Sequence, residues 1–287
     1  MRRARSFGVR GMSAQERAAA NPYLGRKVPL GGAVSAGMGA LDRDEGLRAF
    51  MLQVYNLMFC GLCVTALSAF ATYALTVTGD PALAAVETDG LLVQITDTQY
   101  LTGLGLLLWG TPLSYVVCFG PLLLLIFCAP VFRGLNTTAA LVVFGLVAVL
   151  VGVSFSALAL VYTGGSITSV FFTTAAAFGG LSLVGYTTGR DLSGWGSFLW
   201  MGFFGLLAAV ILNLFLQSDA IEFAICSIGV LVFAGFTVYD TQMIKEAYSE
   251  RLGEKERKSL AISGALDLYL DFVNLFRFLL YFLGERE

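Results

Sequence analysis

Between Arg133 and Arg190 the chain reads GLNTTAALVVFGLVAVLVGVSFSALALVYTGGSITSVFFTTAAAFGGLSLVGYTTG, residues 134–189, with no charged side chain. A helix that crosses a bilayer needs about 20 mostly apolar residues at about 1.5 Å each. This stretch therefore holds two such helices, split at the Thr163-Gly-Gly-Ser166 turn. In lipid every backbone N–H and C=O must find its partner inside the protein, so runs of this kind are helices. A β-barrel would instead need alternating segments of about ten residues, and the stretch does not alternate.

The same pattern extends in both directions. No charge lies between Arg48 and Asp80, between Asp97 and Arg133, or between Asp191 and Asp219. Charged residues make up 13% of the chain, about half the share in soluble domains. The 287 residues read as an all-α polytopic membrane protein. Its spans are expected near 49–78, 111–132, 137–162, 167–188, 194–217, 222–244 and 260–284. The apolar segment 98–110 either extends the second span or lies at the interface before it, with Trp109 as an anchor. Pro112 and Pro121 start or kink that span. Many of the 33 glycines sit in spans, as at Gly179, Gly180 and Gly185, where small residues favour close helix packing.

The net charge of −2 hides an asymmetry. Residues 1–47 form a basic arm, expected to be mobile and cytoplasmic, and 48–287 the transmembrane domain. The arm has no apolar core of a secretory signal. Nucleic-acid binding is the less simple reading of its arginines; a topology signal is the simpler one. Segments 79–100, 163–166 and 218–221 hold no Lys or Arg, whereas sixteen of the eighteen basic residues fall on the alternate side. The positive-inside rule makes that side the cytoplasm. Seven crossings then put the N-terminus inside and the C-terminus outside; a re-entrant last segment would bring the C-terminus back.

The chain has no histidine, which removes the usual pH switch and the commonest zinc ligand. No nucleophile–base set or phosphate-binding glycine loop is visible, so no enzyme activity and no cofactor are expected. The five cysteines, Cys60, Cys63, Cys118, Cys128 and Cys226, lie in apolar segments and read as small core hydrophobes.

Chemistry concentrates in the last two spans. Only 17 uncharged residues separate Glu222 from Asp240, about 26 Å of helix against about 30 Å of hydrocarbon, so Asp240 lies inside the membrane boundary. Asp271 lies thirteen residues past Lys258, near the middle of the last span. Asp267, Asp271 and Asn274 follow i, i+4, i+7 spacing and share a helix face. Arg277 neighbours Asn274 and can snorkel outward. An intramembrane carboxylate costs about 2.5–3.5 kcal/mol even on insertion scales, so it normally faces an ion path, a relay or a partner. Depth alone lets either Asp267 or Asp271 meet Asp240.

Phe236-Thr-Val-Tyr-Asp240-Thr-Gln242 resembles the penultimate-helix motif of the Bax inhibitor-1 family. Gly264-Ala-Leu-Asp-Leu-Tyr-Leu-Asp271-Phe-Val-Asn274-Leu-Phe276 resembles its last-helix motif. Phe171 to Phe178, leading into Gly185-Tyr-Thr-Thr-Gly-Arg190-Asp191-Leu192, is similar to its fourth-helix signature, and Val54-Tyr-Asn-Leu-Met58 to the bacterial first helix. The resemblance runs in order over about residues 45–284. It implies six helices around the seventh, in a bacterial inner membrane. It also implies that Asp240 and Asp271 form a carboxyl pair in a pH-gated calcium leak, with transient calcium at the pair. Asp267, Asn274 and Arg277 are the supporting or alternative residues, and Asp271 rather than Asp267 is favoured as the partner of Asp240. Some members pair the aspartates with an arginine from the second helix, but no basic residue lies between Arg48 and Arg133 here. The partners expected are the lipid bilayer and a cation. The alternative is a regulatory protein acting on a membrane quality-control protease or cell-death machinery. A proton-coupled transporter is a third reading.

Overall fold

The computed structural model describes residues 30–86, 93–96, 99–133, 136–249 and 251–286, with side chains from Glu45 onward. The chain forms two compact units, Met1–Gly46 and Leu47–Glu287. Of the first, only a helical backbone from Leu30 is described. The expectation of a mobile arm over residues 1–47 falls largely outside the described residues.

The helices are α1 (Leu30–Thr76), α2 (Gly103–Trp109), α3 (Leu113–Arg133), α4 (Thr137–Phe155), α5 (Gly164–Thr187), α6 (Trp195–Leu216), α7 (Asp219–Ala247) and α8 (Glu254–Leu283). Among the described residues six helices are long and apolar enough to cross a membrane: the part of α1 from Glu45, α3, α4 with the 3₁₀ turn that follows it, α5, α6 and α7. α8 is as long as these, at 30 residues, but more charged.

Local chemistry sets the helix starts. Asn136 Oδ1 accepts from Ala139 N to open α4, and Thr163 Oγ1 accepts from Ser166 N to open α5. Both satisfy N–H groups that a helix start leaves unpaired. α6 stops at Gln217, whose φ of 47° is left-handed. α7 begins with Asp219 and Glu222 and ends with Lys245, charges that complement the helix dipole.

Where a loop was expected, the described residues of 77–102 form regular structure. They carry a three-stranded antiparallel sheet in the order β1 (Val77–Thr78), β3 (Gln99–Leu101), β2 (Gln94–Thr96). Strands of two or three residues leave almost no period-2 signal. Segment 98–110 does not extend the second span: its described residues supply β3 and the short α2, which Thr102 caps through Gly105 N.

α8 carries most of the core. It packs against α3, α4, α5 and, most extensively, α7. Leu268, Tyr269 and Leu280 are fully buried on it. The Tyr269 hydroxyl is 2.6 Å from Thr65 Oγ1, and Thr65 lies 3.0 Å from the Ala148 carbonyl, which links α1, α4 and α8. A second chain joins Tyr55, Ser182 and Thr241 across α1, α5 and α7. At Gly185 a Cβ would come within 2.3 Å of the Val238 carbonyl, so α5 and α7 touch backbone to backbone there. Such contacts hold helices together where lipid gives no hydrophobic drive between them.

The expectation that all five cysteines are core residues is corrected. Cys226 is buried and Cys128 half-buried, but Cys60, Cys63 and Cys118 are exposed. In an apolar solvent a small apolar side chain has no reason to turn inward.

Candidate functional site

The site forms where α7 and α8 pack. The carboxyl groups of Asp240 and Asp271 are in hydrogen-bond contact. Carboxylates only accept, so such a contact requires a proton on one of the two. Asp271 is 4% exposed, and its Oδ2 is buried with no N–H or hydroxyl donor among the described residues. The Asp240 carboxyl is thus the polar group left beside it. Asp240 is itself half-buried.

Asp267 sits differently. It lies one turn before Asp271 and within charge reach of both members of the pair. Its side chain is exposed. The i, i+4, i+7 set expected on one face is therefore divided: Asp271 falls on the packed side of a boundary, Asp267 and Asn274 on the open side.

The boundary follows a regular seam. Glu256, Leu260, Ser263, Asp267, Leu270, Asn274, Arg277 and Tyr281 are partly or wholly exposed, while nearly every other α8 residue from Ser259 to Leu280 is buried. Their alternating spacing of four and three keeps them on one helix face. α3 lies along part of this seam. Ser263 Oγ donates to the Phe132 carbonyl at 3.4 Å, and Cys118 is in charge reach of Arg277. α3 has Pro121 and Pro130 in its interior, and Pro121 is its one buried side chain among those described.

Asn274 Nδ2 donates to the Leu270 carbonyl at 2.8 Å. Arg277 is exposed and makes no ion pair among the described residues, where Lys258–Glu254 is the one pair found. No three His, Cys, Asp or Glu side chains converge among the described residues as a metal site would require.

The family model described as "Inhibitor of apoptosis-promoting Bax1" matches residues 47–287. The chain belongs to the Bax inhibitor-1 family. It is 41% identical to an uncharacterized protein of Caulobacter vibrioides over 88% of this chain and 96% of that one. A Rickettsia prowazekii protein is 39% identical over 85% and 92% of the two chains. The "Inner membrane protein YbhL" of Escherichia coli K12 is 37% identical over 84% and 94%. The matched region begins where the basic arm ends, so the family's sequence signal coincides with the helical bundle.

Two polar locks at the ends of the helices were not legible as such. Gln242 Nε2 donates to the Arg190 carbonyl at 2.6 Å, and Gln242 Oε1 accepts from Leu192 N at 2.9 Å. Lys245 Nζ donates to the Tyr186 carbonyl at 2.7 Å and lies 5.3 Å above the Tyr186 ring. These bonds stitch the turn between α5 and α6 to the end of α7. At the opposite end, Thr163 N donates to the Glu285 carbonyl, and Glu285 N donates to Ser166 Oγ. Gln242 was visible within the family motif; its partners, fifty and fifty-two residues away in sequence, left no local pattern.

Proposed function

We propose that this protein is a passive, pH-sensitive leak for calcium or a similar cation in the bacterial inner membrane. The observation that carries the reading is the contact between the Asp240 and Asp271 carboxyls inside a bundle of apolar helices. Two carboxyls in contact share one proton and titrate as a pair. The shared proton holds α7 against α8, and its loss sets two like charges side by side and drives them apart. Calcium suits such a path because it takes oxygen ligands. A partial ligand set of Asp240, Asp271 and backbone carbonyls binds it transiently, which a conduit needs.

In this reading α8 is a seventh crossing with six helices around it. Its start lies beside α7's end, and its last residues bond the Thr163–Ser166 turn at the other end. The charge distribution puts the N-terminus in the cytoplasm. No bound cofactor and no catalysis are assigned. Purified protein in liposomes loaded with a calcium dye should admit calcium faster than protein-free vesicles, and faster at higher pH. Equal rates with and without protein at every pH from about 5 to 8, the span over which pH switches commonly act, would overturn the reading.

A further inference from the structure

The open seam of α8 leads somewhere. A hollow of about 290 Å³ lies at the basic end of the bundle, lined by Phe132, Ala247, Leu252, Glu256, Ser259, Leu260 and Ser263. Liquid water takes about 30 Å³ per molecule, so the hollow has room for a cation with part of its hydration shell. Of its α8 lining, Glu256, Leu260 and Ser263 belong to the seam, and Ser263 is its innermost seam residue. One turn deeper comes Asp267, nine residues and about 14 Å of helix past Lys258.

A charged side chain at that depth is tolerated only where it meets water or a partner. Asp267 has no ion-pair partner among the described residues, yet its side chain is exposed. The hollow carries a carboxylate, Glu256, and two serine hydroxyls, and among the described residues no Lys or Arg lines it. Asp271, one turn further on, is closed off.

We infer that Asp267 is the entry site for the cation, reached by water from the basic end through this hollow and distinct from the Asp240–Asp271 pair behind it. The inference rests on the conduit reading for its cargo. The carboxylate concentrates cations at the mouth, and the sealed pair decides whether they pass. A low-dielectric cleft of one charge sign raises local counter-ion concentration.

Cysteine substitution in full-length protein tests this, after the five native cysteines are replaced. A membrane-impermeant cationic thiosulfonate is added to the cytoplasmic face of inverted vesicles. Asp267→Cys and Ser263→Cys should react, and Asp271→Cys should not. Calcium chloride should slow the reaction at Ser263→Cys while Asp267 is present, and lose that effect when Asp267→Asn is added. Asp267→Asn alone should lower cation flux about tenfold at low ionic strength and less in high salt. An unreactive Asp267→Cys, or an Asp271→Cys that reacts equally fast, would overturn the inference. If Asp267→Cys does not insert, the calcium effect at Ser263→Cys decides, and its persistence in Asp267→Asn would overturn it. Expected labelling without any cation flux would overturn the conduit reading alone. Normal flux with no labelling at Asp267→Cys would overturn the entry site alone.

Discussion

On one side of α8, Leu268, Tyr269, Phe272 and Leu275 are almost fully enclosed, and the Phe144 ring stands edge-on to Tyr269 at 5.4 Å. On the other side, Asp267 and Arg277 are exposed and Ser263 and Asn274 half-buried. The packed side meets α4, α5 and α7; the open side has α3, a helix with two interior prolines and one buried side chain, along part of its length. One helix thus does two jobs. Its packed face fixes the bundle and encloses Asp271, and its other face leaves polar groups uncovered by the described residues. Polar side chains on a membrane helix are expensive unless each meets water or a partner, and the two faces of α8 offer one of each.

Stability and the proposed transport should separate along that contrast. Leu268→Ala on the packed face should cost on the order of 2–5 kcal/mol, the usual range for a buried leucine. Leu270→Ala on the seam, a chemically identical change, should cost about 1 kcal/mol or less. Denaturation in detergent measures both, and equal losses would erase the distinction between the faces. A smaller effect is expected from Tyr269→Phe, which removes the bond to Thr65 and nothing else. It should cost about 1 kcal/mol and leave the proposed cation flux unchanged. The smallest belongs to Asn274→Ala, whose side chain bonds only within its own helix. Its stability should shift by no more than about 0.5 kcal/mol.

A topology measurement sharpens the same contrast. The seam runs from Glu256 at the basic end to Tyr281 near the turn at Thr163. A reporter fused after Glu287 should therefore read as external, whereas a cytoplasmic signal would make α8 re-entrant.

Much of this was legible in the sequence because lipid imposes long-range rules that single residues reveal. The charge-free run from 134 to 189 pointed to two helices; both ends of α5 and the start of α4 fall within about three residues of the expected bounds, while α4 stops at Phe155 and a 3₁₀ turn carries the chain on to Leu160. Asp240 and Asp271 stood out because a carboxylate in an apolar run is costly and because the family motifs contain both. The division between Asp267 and Asp271 was not legible. Helical spacing puts them 40° apart on one face, and only the packing of α3, α4 and α7 around α8 says where the open edge falls. The small sheet escaped for a different reason: its strands are too short to carry a periodic pattern. The exposed cysteines escaped because in a membrane an apolar residue is as stable outside the bundle as within it.

The most direct test of the central claim is calcium entry into liposomes as a function of pH, for the wild type, Asp240→Asn and Asp271→Asn. Either substitution removes one titrating group and the repulsion between the two. The wild type should leak more as pH rises, because deprotonation of the pair sets like charges side by side. Both variants should change the leak and flatten its dependence on pH, and Asp267→Asn should lower the leak while keeping the slope. An unchanged rate and an unchanged pH profile in both Asp240→Asn and Asp271→Asn would contradict the account.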